Sequence, residues 1–214
     1  MPQKTPTTRT QTRDKLVETA RRLFHEKGYQ ATGIAEILRE AEVNSGSLYY
    51  FFPSKEDLLV AVLELYRELL RPRIIDPAFE RVSDPLERIF AVLDGYRRQL
   101  IASGCTQGCP IGNLALEMSD RHPRVRELVA ENFVAWRAVI QACLDDLSNR
   151  LPRETDTAQL AAFVLTVMEG GVMQSRVHAS LEPYESAVQT LRDYFDRLLA
   201  DGTTWPRGKR KHMA

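Results

Sequence analysis

Apolar residues recur every three or four positions along almost the whole chain, which is the spacing of helices that bury one face. No sustained stretch alternates apolar and polar residues in the way that a half-buried β-strand does. Proline and glycine fall mostly between the periodic segments rather than inside them. The pattern therefore predicts an all-α protein of about nine helices.

The first 52 residues contain three predicted helices separated by short breaks. The first runs from about residue 10 to Gly28, a residue type that often adopts the left-handed conformation after a helix. Thr32 is expected to N-cap the second helix, and Pro53 ends the third. Short helices around one tight turn are typical of a helix-turn-helix unit. The stripes expected to be buried in the first two helices are Leu16, Val17, Ala20, Leu23 and Phe24, then Ile34, Ile37, Leu38 and Ala41.

The later helices have recognisable first residues. Residues 54–57 read SKED, the pattern of a capping box, and predict a helix over 55–70. Asp84 and Pro85 supply the N-cap and first-turn proline of another helix. Residues 71–84 are predicted to be irregular, and further helices are expected from Pro85 to Gly104, from Asn113 to about Ser119, from Pro123, and over about 155–180 and 183–200.

Residues 43–52 read VNSGSLYYFF and combine small polar residues with four consecutive aromatic ones. Leu48 and Phe52 are four residues apart and share a face with Val43, so this face is expected to hold the third helix onto the first two. The opposite face begins with small residues, which let the backbone approach a phosphate or a base edge. That outward face comprises Ser45, Gly46, Tyr49 and Tyr50.

Two interpretations of this segment remain open. With Asn44 or Ser45 as the N-cap, the helix directs N–H groups at an anion, and tyrosine hydroxyls donate to phosphates. The alternative is a plain aromatic core helix. Local charge favours DNA: the first 15 residues hold four basic and one acidic residue, and Lys55 occupies the first turn of a helix, where a cation is disfavoured unless it serves an external anion.

Residues 12–63 closely resemble the DNA-binding domain of the TetR family of bacterial transcriptional regulators. The matching motifs are FHEKGYQAT, IAEILREAEV and SGSLYYFFPSKEDLL, which cover about 50 contiguous residues. The resemblance implies that the third helix enters the major groove of a palindromic DNA operator. Together with the outward face, it makes Thr32, Asn44, Ser45, Gly46, Ser47, Tyr49, Tyr50 and Lys55 the candidate DNA-contacting residues.

Two positions depart from the family pattern. Glu42 stands in the turn where the family usually has glycine, so it must adopt the turn geometry without glycine's freedom. Ser45 stands where lysine is common, which removes a cation from the recognition helix.

The resemblance also implies a second, helical domain that binds a small-molecule effector and dimerises. The expected organisation is a flexible arm over 1–9, the DNA-binding domain over 10–54, the ligand-binding and dimerisation domain over 55–202 with 55–70 as connecting helix, and a basic tail over 203–214. The last two helices are expected to form a four-helix interface between two copies, with Ala161, Ala162, Gly170 and Gly171 permitting close approach. Completion of a monomeric core is the alternative.

The segment GCTQGCPIGNLALEMSD, residues 104–120, resembles the GC…GNLA segment of one subgroup of the family. Cys105 and Cys109 within it are interpreted as buried apolar residues, as thiols lining a ligand site, or as a redox- or electrophile-sensing pair. A thiol enzyme that pairs one of them with His122 is a remote alternative. No spacing of histidine and cysteine predicts a metal site, and no cofactor is expected.

Several side chains of the second domain are candidates for the wall of an effector cavity. Glu169 and Arg176, two turns apart on one helix face, would anchor a polar ligand or cross the dimer interface. The full candidate set is Tyr96, Cys105, Cys109, Asn113, Phe133, Trp136, Met168, Glu169, Met173 and Arg176.

Overall composition agrees with a cytoplasmic regulator. The 29 basic and 29 acidic residues cancel, so any basic surface for DNA must be local. The first residues contain no apolar signal segment, no apolar run is long enough to span a membrane, and three cysteines in such a chain suggest reduced thiols. No phosphate-binding loop, nucleophile elbow or metal motif predicts an enzyme.

Overall fold

The computed structural model describes residues 8–117 and 122–200, and it confirms the all-α prediction. Every regular element in those two ranges is helical, and nine of the α-helices have seven residues or more. The α-helices are α1 (Thr8–Lys27), α2 (Ile34–Ala41), α3 (Ser45–Phe51), α4 (Lys55–Leu70), α5 (Asp76–Phe79), α6 (Pro85–Ala102), α7 (Pro110–Glu117), α8 (Pro123–Asp146), α9 (Thr157–His178) and α10 (Glu182–Ala200), with a π-helical turn over Arg71–Ile75.

The first three helices pack around a shared apolar core. The predicted stripe of α1 is buried over its whole length, and Leu48 and Phe52 bury the inner face of the α3 segment. Phe24 and Tyr29 add an edge-to-face ring pair with centroids 5.2 Å apart. Most of the predicted arm lies outside the described residues, although α1 begins at Thr8, two residues earlier than expected.

The prediction that Thr32 caps α2 is wrong. Gly33 is the N-cap residue, and no side-chain hydrogen bond caps the start of α2. Thr32 is completely buried, and its hydroxyl donates to the carbonyl oxygens of Gly28 at 2.7 Å and Leu23 at 3.3 Å. The threonine hydroxyl therefore satisfies backbone acceptors at the end of α1 instead of a donor at the start of α2.

Glu42 adopts the left-handed conformation that the family pattern usually assigns to glycine, with φ 52° and ψ 43°. This conformation costs a residue with a side chain roughly 1–2 kcal/mol. The carboxylate of Glu42 accepts from Lys15 Nζ at 3.0 Å, but an exposed ion pair of this kind contributes only about 0–1 kcal/mol. Packing of α2 and α3 onto α1 therefore holds the turn in this geometry.

Helix α4 is shared by both halves of the protein, because it packs against α1 and also against α8. Its predicted capping box is confirmed: Ser54 Oγ accepts from Asp57 N–H at 3.1 Å, and Asp57 Oδ2 accepts from Ser54 N–H at 3.1 Å. Midway along the helix, Asn132 of α8 donates to the carbonyl oxygen of Leu63 at 3.1 Å.

Two predicted boundaries are wrong. Residues 71–79 are helical rather than irregular, because the chain accommodates Pro72 in a wider π turn closed by Asp76 N–H donating to Arg71 O. The N–H groups in the first turn of a helix have no partner within the helix, so a proline, which lacks this group, is tolerated there. The same reason explains why α7 begins at Pro110 instead of Asn113.

The C-terminal helices form one packed layer in which α10 lies on α9 and α6. The Tyr184 hydroxyl donates to Leu93 O at 2.8 Å, and the Phe90 and Phe195 rings meet edge-to-face. A Cβ at Gly171 would lie 3.0 Å from the Tyr184 ring, so this glycine serves close packing within the chain. Helices α1 to α10 include none that is long and apolar enough to cross a membrane.

The burial pattern of the aromatic segment predicts that truncation destabilises the protein strongly at one position and hardly at all at another. Phe52→Ala is expected to lower the free energy of unfolding by about 3–5 kcal/mol, because it opens a cavity in the core of the first three helices. Tyr50→Ala is expected to change it by less than about 0.5 kcal/mol, because that ring is exposed. Urea denaturation followed by circular dichroism measures both values. Equal losses for the two variants would contradict the division of the segment into an inner and an outer face.

Candidate functional site

Helix α3 presents an exposed polar and aromatic face opposite its buried one, as predicted. The side chains of Tyr49 and Tyr50 are 54% and 66% exposed, whereas Leu48 is fully buried. Asn44 is the N-cap, and its Oδ1 accepts from Ser47 N–H at 2.8 Å. We call the set Asn44, Ser45, Gly46, Ser47, Tyr49 and Tyr50 the α3 face; all six belong to one short segment, and all but the half-buried Ser47 are exposed.

Two arginines of α1 extend the α3 face with positive charge. The guanidinium of Arg9 lies 5.5 Å from the centroid of the Tyr50 ring, and that of Arg13 lies 5.5 Å from the Phe52 ring. Sequence analysis placed these arginines in a basic N-terminal segment but did not place them against α3. The stacking of Arg9 places one cation beside Tyr50, which is a suitable arrangement for contact with phosphates, and Arg13 adds a second cation on the Phe52 ring at the end of the same segment.

Lys55 has partners inside the protein, so the argument that it needs an external anion is wrong. Its Nζ donates to the carbonyl oxygen of Tyr29 at 2.5 Å and lies 4.2 Å from the centroid of the Tyr29 ring. Partial burial lowers the pKa of this ammonium. The side chain of Thr32 is completely buried, so it is not available for a contact with DNA.

The second candidate site is a cavity of about 390 Å³ enclosed by α1, α4, the π turn, α6, the loop before α7, α8 and α9. Six of the ten predicted cavity residues line it: Tyr96, Cys109, Phe133, Trp136, Met168 and Glu169. Its wall therefore combines aromatic rings with a carboxylate, as an effector site of a regulator would.

The other four predicted cavity residues do not line the cavity. Met173 is 54% exposed on the outside of α9, and Cys105 is buried elsewhere. Arg176 donates to Asn113 Oδ1 at 3.1 Å, outside the cavity. Because the cavity ends at Val172 along α9, Arg176 lies beyond it although it shares a stripe with Glu169.

Sequence analysis missed the cavity residues that come from the N-terminal half. Arg21 and His25 of α1 and Tyr66 of α4 line the cavity, and so do Arg73, Gln99 and Asn132. Arg21 is neutralised by Glu18, whose two oxygens it contacts at 2.6 and 2.9 Å; this contact lowers the pKa of Glu18. No spacing in the sequence indicates that a helix of the DNA-binding unit would form part of the effector cavity.

Two polar atoms of the cavity wall are buried without a hydrogen-bond partner, namely Trp136 Nε1 and Glu169 Oε1. Burial raises the pKa of Glu169, and the nearby thiol of Cys109 partly opposes that rise. Unpaired polar atoms of this kind cost free energy in the empty protein. They are therefore positions where a ligand would gain hydrogen bonds.

The thiols of Cys109 and Cys143 lack the lowered pKa of reactive cysteines, and Cys105 is buried. Burial, and then the charge of Glu169, raises the pKa of Cys109 well above its ordinary value, and burial raises that of Cys143 to about 11. Reactive thiols require the opposite shift. His122 Nδ1 lies 2.8 Å from Glu56 Oε2. These observations disfavour both the redox-sensing and the thiol-enzyme alternatives, and no cluster of three possible metal ligands occurs within 8–117 and 122–200.

Two hydrogen bonds join the end of the DNA-binding unit to the segment that carries the cavity wall. His25 Nε2 donates to the carbonyl oxygen of Gly108 at 2.8 Å, which requires the proton on Nε2. Gln30 N–H donates to Glu117 Oε2 of α7 at 2.9 Å. We call these two contacts the α1–α7 bridge. Gly108 also lines the cavity, so the bridge connects the cavity wall directly to α1.

The bridge predicts a pH dependence of stability. Burial, together with the charges of Arg21 and Arg176, lowers the pKa of His25 in the folded state, although the bond to Gly108 partly offsets this. The unfolded chain therefore takes up a proton first as pH falls. The stability contributed by neutral His25 is complete above about pH 6.5 and is lost below it.

When the pH falls from 7.5 to 5.5, we expect the Tm of the wild-type protein to fall by roughly 2 °C more than the Tm of His25→Gln. Glutamine keeps a donor without titrating, so the difference between the two proteins isolates His25. Thermal unfolding by circular dichroism measures it. A difference in Tm that stays constant across this range would contradict the assignment.

Comparison with known proteins identifies the family of both halves of the chain. Residues 16–62 match the model of the bacterial regulatory proteins of the tetR family, and residues 85–191 match that of the tetracyclin repressor-like C-terminal domain. The HTH-type transcriptional regulator LmrA of Bacillus subtilis is 32% identical over 76% of this chain and 85% of its own length. The HTH-type transcriptional repressor DhaR of a Mycobacterium species is 31% identical over 89% of this chain and 94% of its own.

The fold is shared with solved structures of the same class. The crystal structure of a TetR transcriptional regulator from Chloroflexus aurantiacus is 29% identical and superposes with a TM-score of 0.77, covering 89% of this chain and 97% of that one. The two family matches and these relatives establish that the chain belongs to the TetR family of helix-turn-helix transcriptional regulators.

Proposed function

We propose that the protein is a cytoplasmic, homodimeric repressor that binds a palindromic operator and is released from it by a small molecule bound in the cavity. The observation that carries the proposal is the α1–α7 bridge, because it joins the cavity wall to the helix that supports the α3 face. The related regulator DhaR is named a transcriptional repressor, which supports repression rather than activation.

The α3 face supplies the proposed DNA contacts. Tyr49 and Tyr50 are placed to donate their hydroxyls to phosphates and to touch thymine methyl groups. Gly46 lets the backbone approach the groove closely. Arg9 and Arg13 add the positive charge that Ser45 does not provide. Lys55 contributes at most a second contact, since its ammonium is already held by Tyr29.

The outer faces of α9 and α10 supply the proposed dimer interface. Phe163 and Tyr194 are 46% and 44% exposed, and their rings pack edge-to-face with centroids 5.7 Å apart. Met173 and Val177 are also exposed on α9, and a Cβ at Gly170 would meet nothing within 4 Å. A two-fold arrangement of these helices would place two recognition helices about 34 Å apart, one turn of DNA.

The bridge gives the effector a route to the DNA-binding unit. A ligand in the cavity contacts the wall that includes His25 and Gly108, the two residues joined by the first hydrogen bond of the bridge. Release of DNA requires that the ligand prefers a conformation in which the two recognition helices no longer fit both half-sites. Helix α4, which contacts α1 and α8, would carry the same displacement.

Operator binding tests the proposal directly. We expect the full chain to bind a labelled DNA fragment from its own upstream region with a Kd of roughly 10⁻⁸ M at about 150 mM salt, with two chains per site and despite non-specific competitor. Fluorescence anisotropy measures the affinity. Arg9→Gln is expected to weaken binding and to lower the salt dependence by about one counterion, because Arg9 lies beside the α3 face.

Arg153→Gln is the matched control, because Arg153 is an exposed arginine in the loop between α8 and α9. Its affinity and salt slope should equal those of wild type. Equal effects of the two substitutions would reject the proposed DNA-contact face. Binding that the competitor abolishes would reject sequence-specific recognition of this fragment.

A further inference from the structure

The chemistry of the cavity wall is specific enough to indicate the class of ligand that it binds. Glu169 is the central feature, because its Oε1 is buried without a hydrogen-bond partner. It has no ion pair with any residue in the described ranges. Glu169 is half-buried, and a carboxylate that has lost part of its water without gaining a counter-charge is destabilised, so a positively charged group in the cavity would stabilise it.

The surroundings of Glu169 are built around this carboxylate. A Cβ at Gly112, near the start of α7, would overlap Glu169 Oε2, so this glycine leaves the space that the carboxylate fills. The thiol of Cys109 is close enough to this carboxylate to lower its pKa. Burial raises the pKa of Tyr96, and the negative charge of Glu169 is close enough to raise it further.

Aromatic rings lie beside the carboxylate. Tyr96 and Trp136 both line the cavity and form an edge-to-face pair with centroids 6.3 Å apart. Aromatic faces attract cations, and this attraction is strongest where water is excluded.

The positively charged side chains of the cavity wall do not pair with Glu169. Arg21 is paired with Glu18, and the charge of Arg73 also acts on Glu18. His25 is held neutral by burial, and its Nε2 proton is used in the bridge. Among the described residues that line the cavity, Glu169 is therefore the one carboxylate, and it has no ion pair, whereas Arg73 is exposed to solvent.

We propose that the cavity binds a lipophilic organic cation whose protonated nitrogen pairs with Glu169 and whose apolar body lies against Tyr96 and Trp136. This inference rests on the proposed role of the cavity as the effector site. It is nevertheless tested by ligand binding alone, without DNA, so that its failure is separate from a failure of operator recognition.

The test uses three probes with one common body: 4-(aminomethyl)biphenyl, biphenyl-4-methanol and biphenyl-4-carboxylate. Isothermal titration of the full chain at pH 7.5, where the amine is protonated, measures the three affinities. The amine is expected to bind at least tenfold more tightly than the alcohol, and the carboxylate most weakly. An alcohol that equals the amine, a carboxylate that binds best, or no saturation by any probe below 1 mM would overturn the proposal.

Glu169→Gln isolates the charge, because it keeps the size of the side chain. It is expected to weaken amine binding at least tenfold and alcohol binding less than threefold, with a Tm at or above that of wild type. Glu80→Gln is the control, since Glu80 is exposed and lies outside the cavity. A tenfold loss of affinity for the alcohol as well would overturn the proposed charge pairing, because it would mean that Glu169 only shapes the cavity. The ranking of the three probes on the wild-type protein tests the proposal even if the variant does not fold.

Discussion

The α1–α7 bridge is the contact on which the rest of this regulator depends. The end of α1 has backbone and side-chain donors that need acceptors, and the ligand-binding half provides them through Gly108 and Glu117. Glu117 also faces Lys55, where its negative charge partly offsets the effect of burial on the lysine pKa. A displacement of the loop or of α7 therefore acts on α1 and on the start of α4 together. Since α3 packs on α1, we expect the α3 face to move with them.

Local chemistry made much of the fold predictable. The capping box at Ser54 and Asp57, the Asp84 N-cap and the apolar stripe of α1 each depend on residues close in sequence, and the structure confirms all three. Pro72 misled the prediction because a proline ends an α-helix but fits within a wider turn. The partners of Lys55 were also unpredictable, because the Tyr29 carbonyl and ring approach it only after α1 and α4 have packed.

In the candidate sites, too, features set by residues close in sequence could be predicted, whereas features set by the packing of distant segments could not. The two faces of α3 follow from helical spacing alone, so Tyr49 and Tyr50 could be placed outside. In the cavity, spacing identified Met168 and Glu169 but not how far along α9 the cavity extends. Arg21 and His25 were missed because their position in the wall depends on how the two halves of the chain pack. The same packing leaves Glu169 without a counter-charge, a property that no sequence pattern reveals.

The most direct test of this account is the operator affinity of Glu117→Ala. Glu117 lies on α7, in the ligand-binding half, yet its carboxylate accepts from Gln30 at the end of the DNA-binding unit. If the bridge keeps that unit in its DNA-binding orientation, its loss reduces the competent fraction and should weaken operator binding at least fivefold. Glu127→Ala, an exposed position on α8, should leave the affinity unchanged. Wild-type affinity in Glu117→Ala would contradict the claim that the bridge couples the cavity to DNA recognition.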